Sequence, residues 1–156
     1  RGNGWVVASL PRILDRLPPD HPERAGILDI LERTSRALLP LQRPDGWWET
    51  VLLPPGRTYR ESSATALIAA GWLSSVAAGY LPETYRAPAE TAYRSVVDSL
   101  AEGPGGRLLI PEISGPTIPL PVFPRLGYTL VPRGSNRTYG IAALILAAIA
   151  EQRIKE

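Results

Sequence analysis

Two kinds of apolar segment alternate along this chain. From Trp5 to about Leu17, Val6, Val7, Leu10, Ile13, Leu14 and Leu17 keep a helical period, and Pro11 within them predicts a short or kinked helix. Asp20 and Glu23 form a capping-box pattern ahead of Ile27, Ile30, Leu31, Leu38 and Leu41. The opposite face of this second helix carries Asp29, Glu32, Arg33 and Arg36, a solvated surface. Residues 64 to 78 differ, being mostly Ala, Leu, Ile, Trp and Val on every face, which predicts a helix buried on most sides and capped by Ser62 or Ser63. An amphipathic helix follows from about Pro88 to Leu100, with Ala89, Ala92, Tyr93, Val96, Val97 and Leu100 on one face. Ile141 to Ile149, almost wholly Ala, Ile and Leu, predicts a last buried helix.

Turn chemistry separates these segments. Arg43-Pro44-Asp45-Gly46 is a turn by residue type, which gives Asp45 a conformational role before a catalytic one. Residues 47 to 53 predict a short strand or an extended loop, closed by Pro54-Pro55-Gly56. After Gly103-Pro104-Gly105-Gly106, residues 107 to 137 are proline-rich without a helical period, so a long irregular stretch with room for a hairpin is expected there. Loops of that length are commonly functional or disordered. The alternation of all-round apolar helices with amphipathic ones is what an inner ring enclosed by an outer ring would produce, because inner helices meet protein on both sides.

Composition narrows the chemistry. With 156 residues, 44% of them hydrophobic, one domain with a real core is expected, spanning 1–156. Seventeen Lys+Arg against fifteen Asp+Glu give a net charge of +2, scattered rather than blocked, so no nucleic-acid surface is expected. The chain has no cysteine, which excludes disulfides, thiolate metal sites and cysteine nucleophiles. Its one histidine, His21, rules out a multi-histidine zinc site and reads as a surface residue beside a helix start. No apolar run reaches the roughly 18 to 20 residues of a membrane span. The chain therefore reads as soluble, with no membrane partner; its lack of cysteine leaves the compartment open, and a cytoplasmic one is expected. The chain lacks methionine and opens on Arg1, which suggests a piece of something longer.

The most informative stretch is Arg1-Gly2-Asn3-Gly4-Trp5. It sets a guanidinium and an indole near one another, with glycines that let backbone approach closely. Arginine pairs a carboxylate bidentately, so the segment outlines a pocket for an anionic sugar ring. A frayed terminus running into a helix is the alternative.

The chain resembles the C-terminal half of the unsaturated uronyl hydrolases of glycoside hydrolase families 88 and 105. The resemblance rests on an ordered set: Arg1-Gly2-Asn3-Gly4-Trp5-Val6, Ala8-Ser9-Leu10, Asp20-His21-Pro22-Glu23-Arg24, Leu39 through Trp48, and Tyr59-Arg60-Glu61-Ser62-Ser63-Ala64-Thr65-Ala66. It covers residues 1 to 100 well and the Tyr139-Gly140 helix start more loosely. What it implies is an all-α fold of the (α/α)6-barrel type, about half of it present; the long Pro-rich irregular stretch before the last helix is read from this chain's own residues. The resemblance further implies removal of a 4,5-unsaturated uronic acid from the non-reducing end of lyase-generated oligosaccharides, by hydration of the double bond. An aspartic acid would protonate that bond, without metal or cofactor.

Residue by residue, the resemblance assigns Arg1 to carboxylate or polar-group recognition and Trp5 to packing on the sugar ring, with Asn3 between them. Ser63 matches the acidic-Ser helix start near the pocket mouth, where simple capping is the competing role. Trp48, beside Trp47, is open between the core and ligand stacking, and Tyr139 is a candidate wall residue. No catalytic residue is assigned, because the family's aspartates lie upstream of the arginine signature; Asp15, Asp29 and Asp98 look solvated. Departures from the family pattern are Pro11 and the proline-rich Ser114-Gly115-Pro116-Thr117 loop. Two readings follow. The chain is the binding half of a hydrolase, inactive alone, or it is a non-catalytic helical module that binds an acidic sugar or a protein partner. Half a barrel would leave the inner faces of residues 64 to 78 and 141 to 149 uncovered, so self-association or a complementary N-terminal half is expected.

Overall fold

The computed structural model describes residues 1–116, 120 and 122–155, so Thr117 of the proline-rich loop lies outside the described residues. The helices are α1 (Gly2–Leu14), α2 (Arg24–Leu38), α3 (Ser62–Ala77), α4 (Arg86–Asp98), a short α5 (Pro124–Thr129) and α6 (Thr138–Arg153). Strands β1 (Ala101–Gly103) and β2 (Arg107–Leu109) form an antiparallel hairpin, and β3 (Ile113–Ser114) pairs with β4 (Arg133–Gly134). The hairpin lies at the edge of the irregular stretch, whose only described helix, α5, its residue pattern did not announce. No strand forms over 47 to 53; a single bridge joins Glu49 to Arg60.

α3 sits at the centre, packed against α1, α6 and α4, while α2 lies against α1. The helices expected to be buried are thus the inner ones, with the amphipathic α2 and α4 outside. Ala66, Leu67, Ala69, Ala70, Trp72 and Leu73 of α3 are all fully buried. This corrects the expectation that residues 64 to 78 keep an open face, since α1 and α6 flank α3 on both sides. α6 behaves otherwise. Ala143, Ala147 and Ala150 are buried, yet Ile141, Ile145 and Ile149, four residues apart, form an exposed stripe. On α1, Trp5, Val6 and Ile13 are exposed as well.

Pro11 does not break α1, which runs through it. The carbonyl that Pro11 cannot bond, four residues back, belongs to Val7. There α3 comes close, since a Cβ on Gly71 would stand 2.4 Å from that oxygen. Two residues that each break a helix rule therefore meet at one contact.

The caps also differ from their expected form. α2 begins without an Asp20 side-chain bond; His21 Nδ1 instead accepts from the Glu23 N–H at 3.2 Å, a local mimic of a turn. The cap of α3 is Glu61, whose carboxylate accepts from the Ala64 N–H, so Ser62 and Ser63 fall in the first turn. Trp48 is fully buried and donates from Nε1 to the Leu38 carbonyl at 2.9 Å. It stands edge-on to Trp72 at 5.2 Å between ring centroids, and Trp72 in turn donates to Ser35 Oγ at 3.0 Å. With no surface left for a ligand, Trp48 is a core residue, which corrects its candidacy as a wall of the pocket.

Candidate functional site

The three inner helices start at the same pole. Arg1 precedes α1, Glu61 caps α3, and Tyr139 lies in the first turn of α6. The Arg1 guanidinium lies 4.2 Å over the Tyr139 ring and 4.0 Å from Glu61 Oε1. Helix N-termini carry partial positive charge; that of α3 is taken up by the Glu61 carboxylate, which leaves those of α1 and α6 beside the arginine to favour an anion.

Ser114, in β3, joins these starts together. Its carbonyl accepts from Arg1 Nη1 at 3.0 Å and from the Tyr139 hydroxyl. Its N–H donates to Glu61 Oε1 at 2.9 Å, and its Oγ accepts from the Tyr59 hydroxyl at 2.9 Å. Arg1 Nη2 adds a bond to the Gly115 carbonyl at 3.1 Å. The proline-rich segment is thereby pinned across the inner-helix ends. Nothing in the local sequence around Ser114 signals this role, because every partner comes from a distant element.

Glu61 is fully buried. Its oxygens accept from Ser63 Oγ at 2.8 Å, from the Ala64 N–H and from the Ser114 N–H. Ser63, itself 1% exposed, is spent on that carboxylate and faces no cavity, which removes it as a ligand contact. Tyr139 supports Arg1 from beneath. Asn3 is exposed on the first turn of α1.

Arg1 borders a small cavity of about 160 Å³ together with Gly2, Thr50, Ser114 and Tyr128. Trp5 borders a different one, about 480 Å³, with Ala8, Ser9, Ile13 and Leu146 on the flank between α1 and α6. The structure therefore does not bring Trp5 into the Arg1 cavity, although one helical turn separates them in sequence.

A second carboxylate that the sequence did not single out organises the loop beside this pole. Glu49, 4% exposed, accepts from Arg43 Nη1 at 2.8 Å, from the N–H groups of Gly56, Arg57 and Thr58, and from Thr58 Oγ1. Burial pushes its carboxyl up, but the Thr58 N–H, the Arg43 guanidinium and the remaining donors outweigh that and hold it below the ordinary value. A depressed folded-state value means that Glu49 stabilises the fold above the unfolded carboxyl range. That contribution fades as pH falls through its folded value. Glu49→Gln should therefore lower stability by about 2 kcal/mol near neutral pH, with the gap to the unaltered chain closing in acid. Thermal melts between pH 7 and pH 3 check this; a pH-independent gap would contradict it.

Three inner helices, two outer ones and a loop-covered pole are part of an (α/α)6 barrel, the fold of solved structures that this chain resembles. Residues 1–155 match the model of Glycosyl Hydrolase Family 88, and the chain belongs to that family. It is 34% identical over 84 residues to the unsaturated 3S-rhamnoglycuronyl hydrolase of Alteromonas sp. (strain LOR), covering 53% of this chain and 20% of that protein. It is 36% identical over 75 residues to an unsaturated rhamnogalacturonyl hydrolase of Bacillus subtilis (strain 168), covering 48% and 22%. A glycoside hydrolase of family 105 from C. acetobutylicum ATCC 824 superposes with a TM-score of 0.86 at 27% identity, covering 96% of this chain and 44% of that one. The matched stretch thus accounts for about a fifth of the curated relatives' length and under half of the structural relative. No helix among the described residues is long and apolar enough to cross a membrane.

Proposed function

We propose that this chain forms the anion-binding part of a glycoside hydrolase that removes a 4,5-unsaturated uronic acid from the non-reducing end of lyase-generated oligosaccharides. The observation that carries the reading is Arg1, anchored at the common pole of three inner helices and bordering a cavity that no carboxylate among the described residues lines. A guanidinium has five N–H donors, and two are committed to Ser114 and Gly115, so donors remain for a uronate carboxylate. The names of the relatives supply the substrate class.

In this reading an acid protonates the enol-ether double bond and water adds at the adjacent carbon. The resulting hemiketal collapses and releases the sugar. Arg1 holds the carboxylate and fixes the ring against the acid. Carboxylates near this pole do not serve as that acid: Glu61 is buried and bonded, and Glu112 is paired with Arg133. An aspartate from outside this sequence supplies the proton, and the chain alone does not turn over.

A complementary half, or a second copy, covers the apolar stripe of Ile141, Ile145 and Ile149 and the exposed Trp5, Val6 and Ile13. Trp5 then packs at that junction rather than on the sugar ring. The reading includes a cytoplasmic setting.

Joined to its upstream half, the chain should deplete the ultraviolet absorbance of an unsaturated uronyl disaccharide. Arg1→Ala should lower kcat/KM at least about tenfold, the loss expected for a charge-assisted bond. Absorbance that persists with the joined, folded protein would overturn the activity. Binding without turnover would favour a non-catalytic module, a reading supported by the engagement of Glu61 and Glu112, carboxylates at the pole among the described residues, by other partners.

A further inference from the structure

The proline-rich segment is unaccounted for by the barrel, and one of its residues borders the Arg1 cavity. Tyr128 lies in α5, half-buried, and shares the cavity with Arg1, Gly2, Thr50 and Ser114. We propose that Tyr128 is a substrate-recognition residue of this site, donating its hydroxyl, together with that of Thr50, to the carboxylate held by Arg1.

The lining consists of donors. Among the described residues the hydroxyls of Tyr128 and Thr50 make no hydrogen bond, whereas Ser114 Oγ is engaged with Tyr59 and Gly115. Among the described residues no Asp or Glu borders the cavity; Arg1 is its charged lining residue, with the Glu61 carboxylate 4.0 Å behind it. A cationic fork with two uncommitted hydroxyls is the complement of one carboxylate, whose two oxygens accept about four bonds. A neutral sugar face would be better served by acceptors as well as donors, and this lining offers few free acceptors. Tyr128 reaches the cavity because Arg1 and Tyr139 tether Ser114 and Gly115 across the helix starts, fixing the near end of the segment that carries it. Recognition of the acid therefore comes from two sources: Arg1 on the inner ring, and a tyrosine on the segment that departs most from the barrel pattern.

This inference rests on the uronate reading, and calorimetry on the full chain separates the two. The probes are an unsaturated digalacturonate and its methyl ester at the unsaturated ring, which lacks the charge. Tyr128→Phe and Thr50→Val should each weaken the acid about tenfold and the already weak ester much less, because a bond to the charged carboxylate is worth more than one to the neutral ester carbonyl. Equal weakening of acid and ester would mean that Tyr128 acts only by shaping the loop, and would overturn the proposal. So would unaltered affinity in both variants while Arg1→Ala abolishes binding, an outcome that leaves the uronate reading intact. No preference for the acid by the unaltered chain, or none lost in Arg1→Ala, would overturn both.

Discussion

Glu61→Ala should be the most damaging single change at the candidate site, lowering stability by about 3 kcal/mol and removing ligand binding together. The buried carboxylate caps α3 at Ala64, fixes Ser63 and anchors β3 through the Ser114 N–H. Losing a cap costs about 1 kcal/mol, and each buried donor left without an acceptor costs about 1–3 kcal/mol. For a chain of this size a loss of that order corresponds to a fall of roughly 10 °C in Tm. The functional effect follows from the same contacts. With Ser114 released, Arg1 loses the carbonyls that position it, and the Glu61 charge 4.0 Å away disappears as well. Glu61→Gln, which keeps an acceptor for the cap, should fall between the two in Tm. A melt unchanged in Glu61→Ala would show that the carboxylate is not what holds the pole together.

Gly71→Ala should destabilise by about 3 kcal/mol, against the usual direction for a glycine inside a helix. That exchange ordinarily gains up to about 1 kcal/mol of helix propensity. Here the added methyl would stand 2.4 Å from the Val7 carbonyl oxygen and 2.6 Å from its carbon, both backbone atoms of α1. A flexible side chain could turn aside; these atoms cannot, so α1 must move off α3 and open the core around Val7 and Leu67. Gly26→Ala is the control, because no atom lies within 4 Å of a Cβ there, and it should be neutral or stabilising. Denaturant melts of the two variants side by side settle it: a stabilised Gly71→Ala would mean that the helices are not in contact at this point.

Both cases show which information a sequence carries. The period of apolar residues marked α1 to α4 and α6 within a few positions, because helix faces are written locally at a fixed spacing. All-round apolarity identified α3 as interior for the same reason. Pro11 looked like a break, yet α1 runs on through it, and only the tertiary structure shows that the Val7 carbonyl it leaves unbonded lies beside Gly71 of α3. The same holds for Trp48, which was open between two environments until the Leu38 carbonyl and Trp72 closed around it.

The sequence by itself determined the helical class, the inner and outer character of the helices and the arginine that marks the candidate site. Those depend on residue type and spacing along one segment. Tertiary structure decided what that arginine touches. Ser114, Glu61 and Tyr139 come from elements far apart in the chain, and a carbonyl's availability as an acceptor depends on where the backbone turns, not on the residue that bears it. It also separated Trp5 from the Arg1 cavity and brought Tyr128 to it, because the packing angle of α1 and the path of the proline-rich segment are set by long-range contacts rather than by any local pattern.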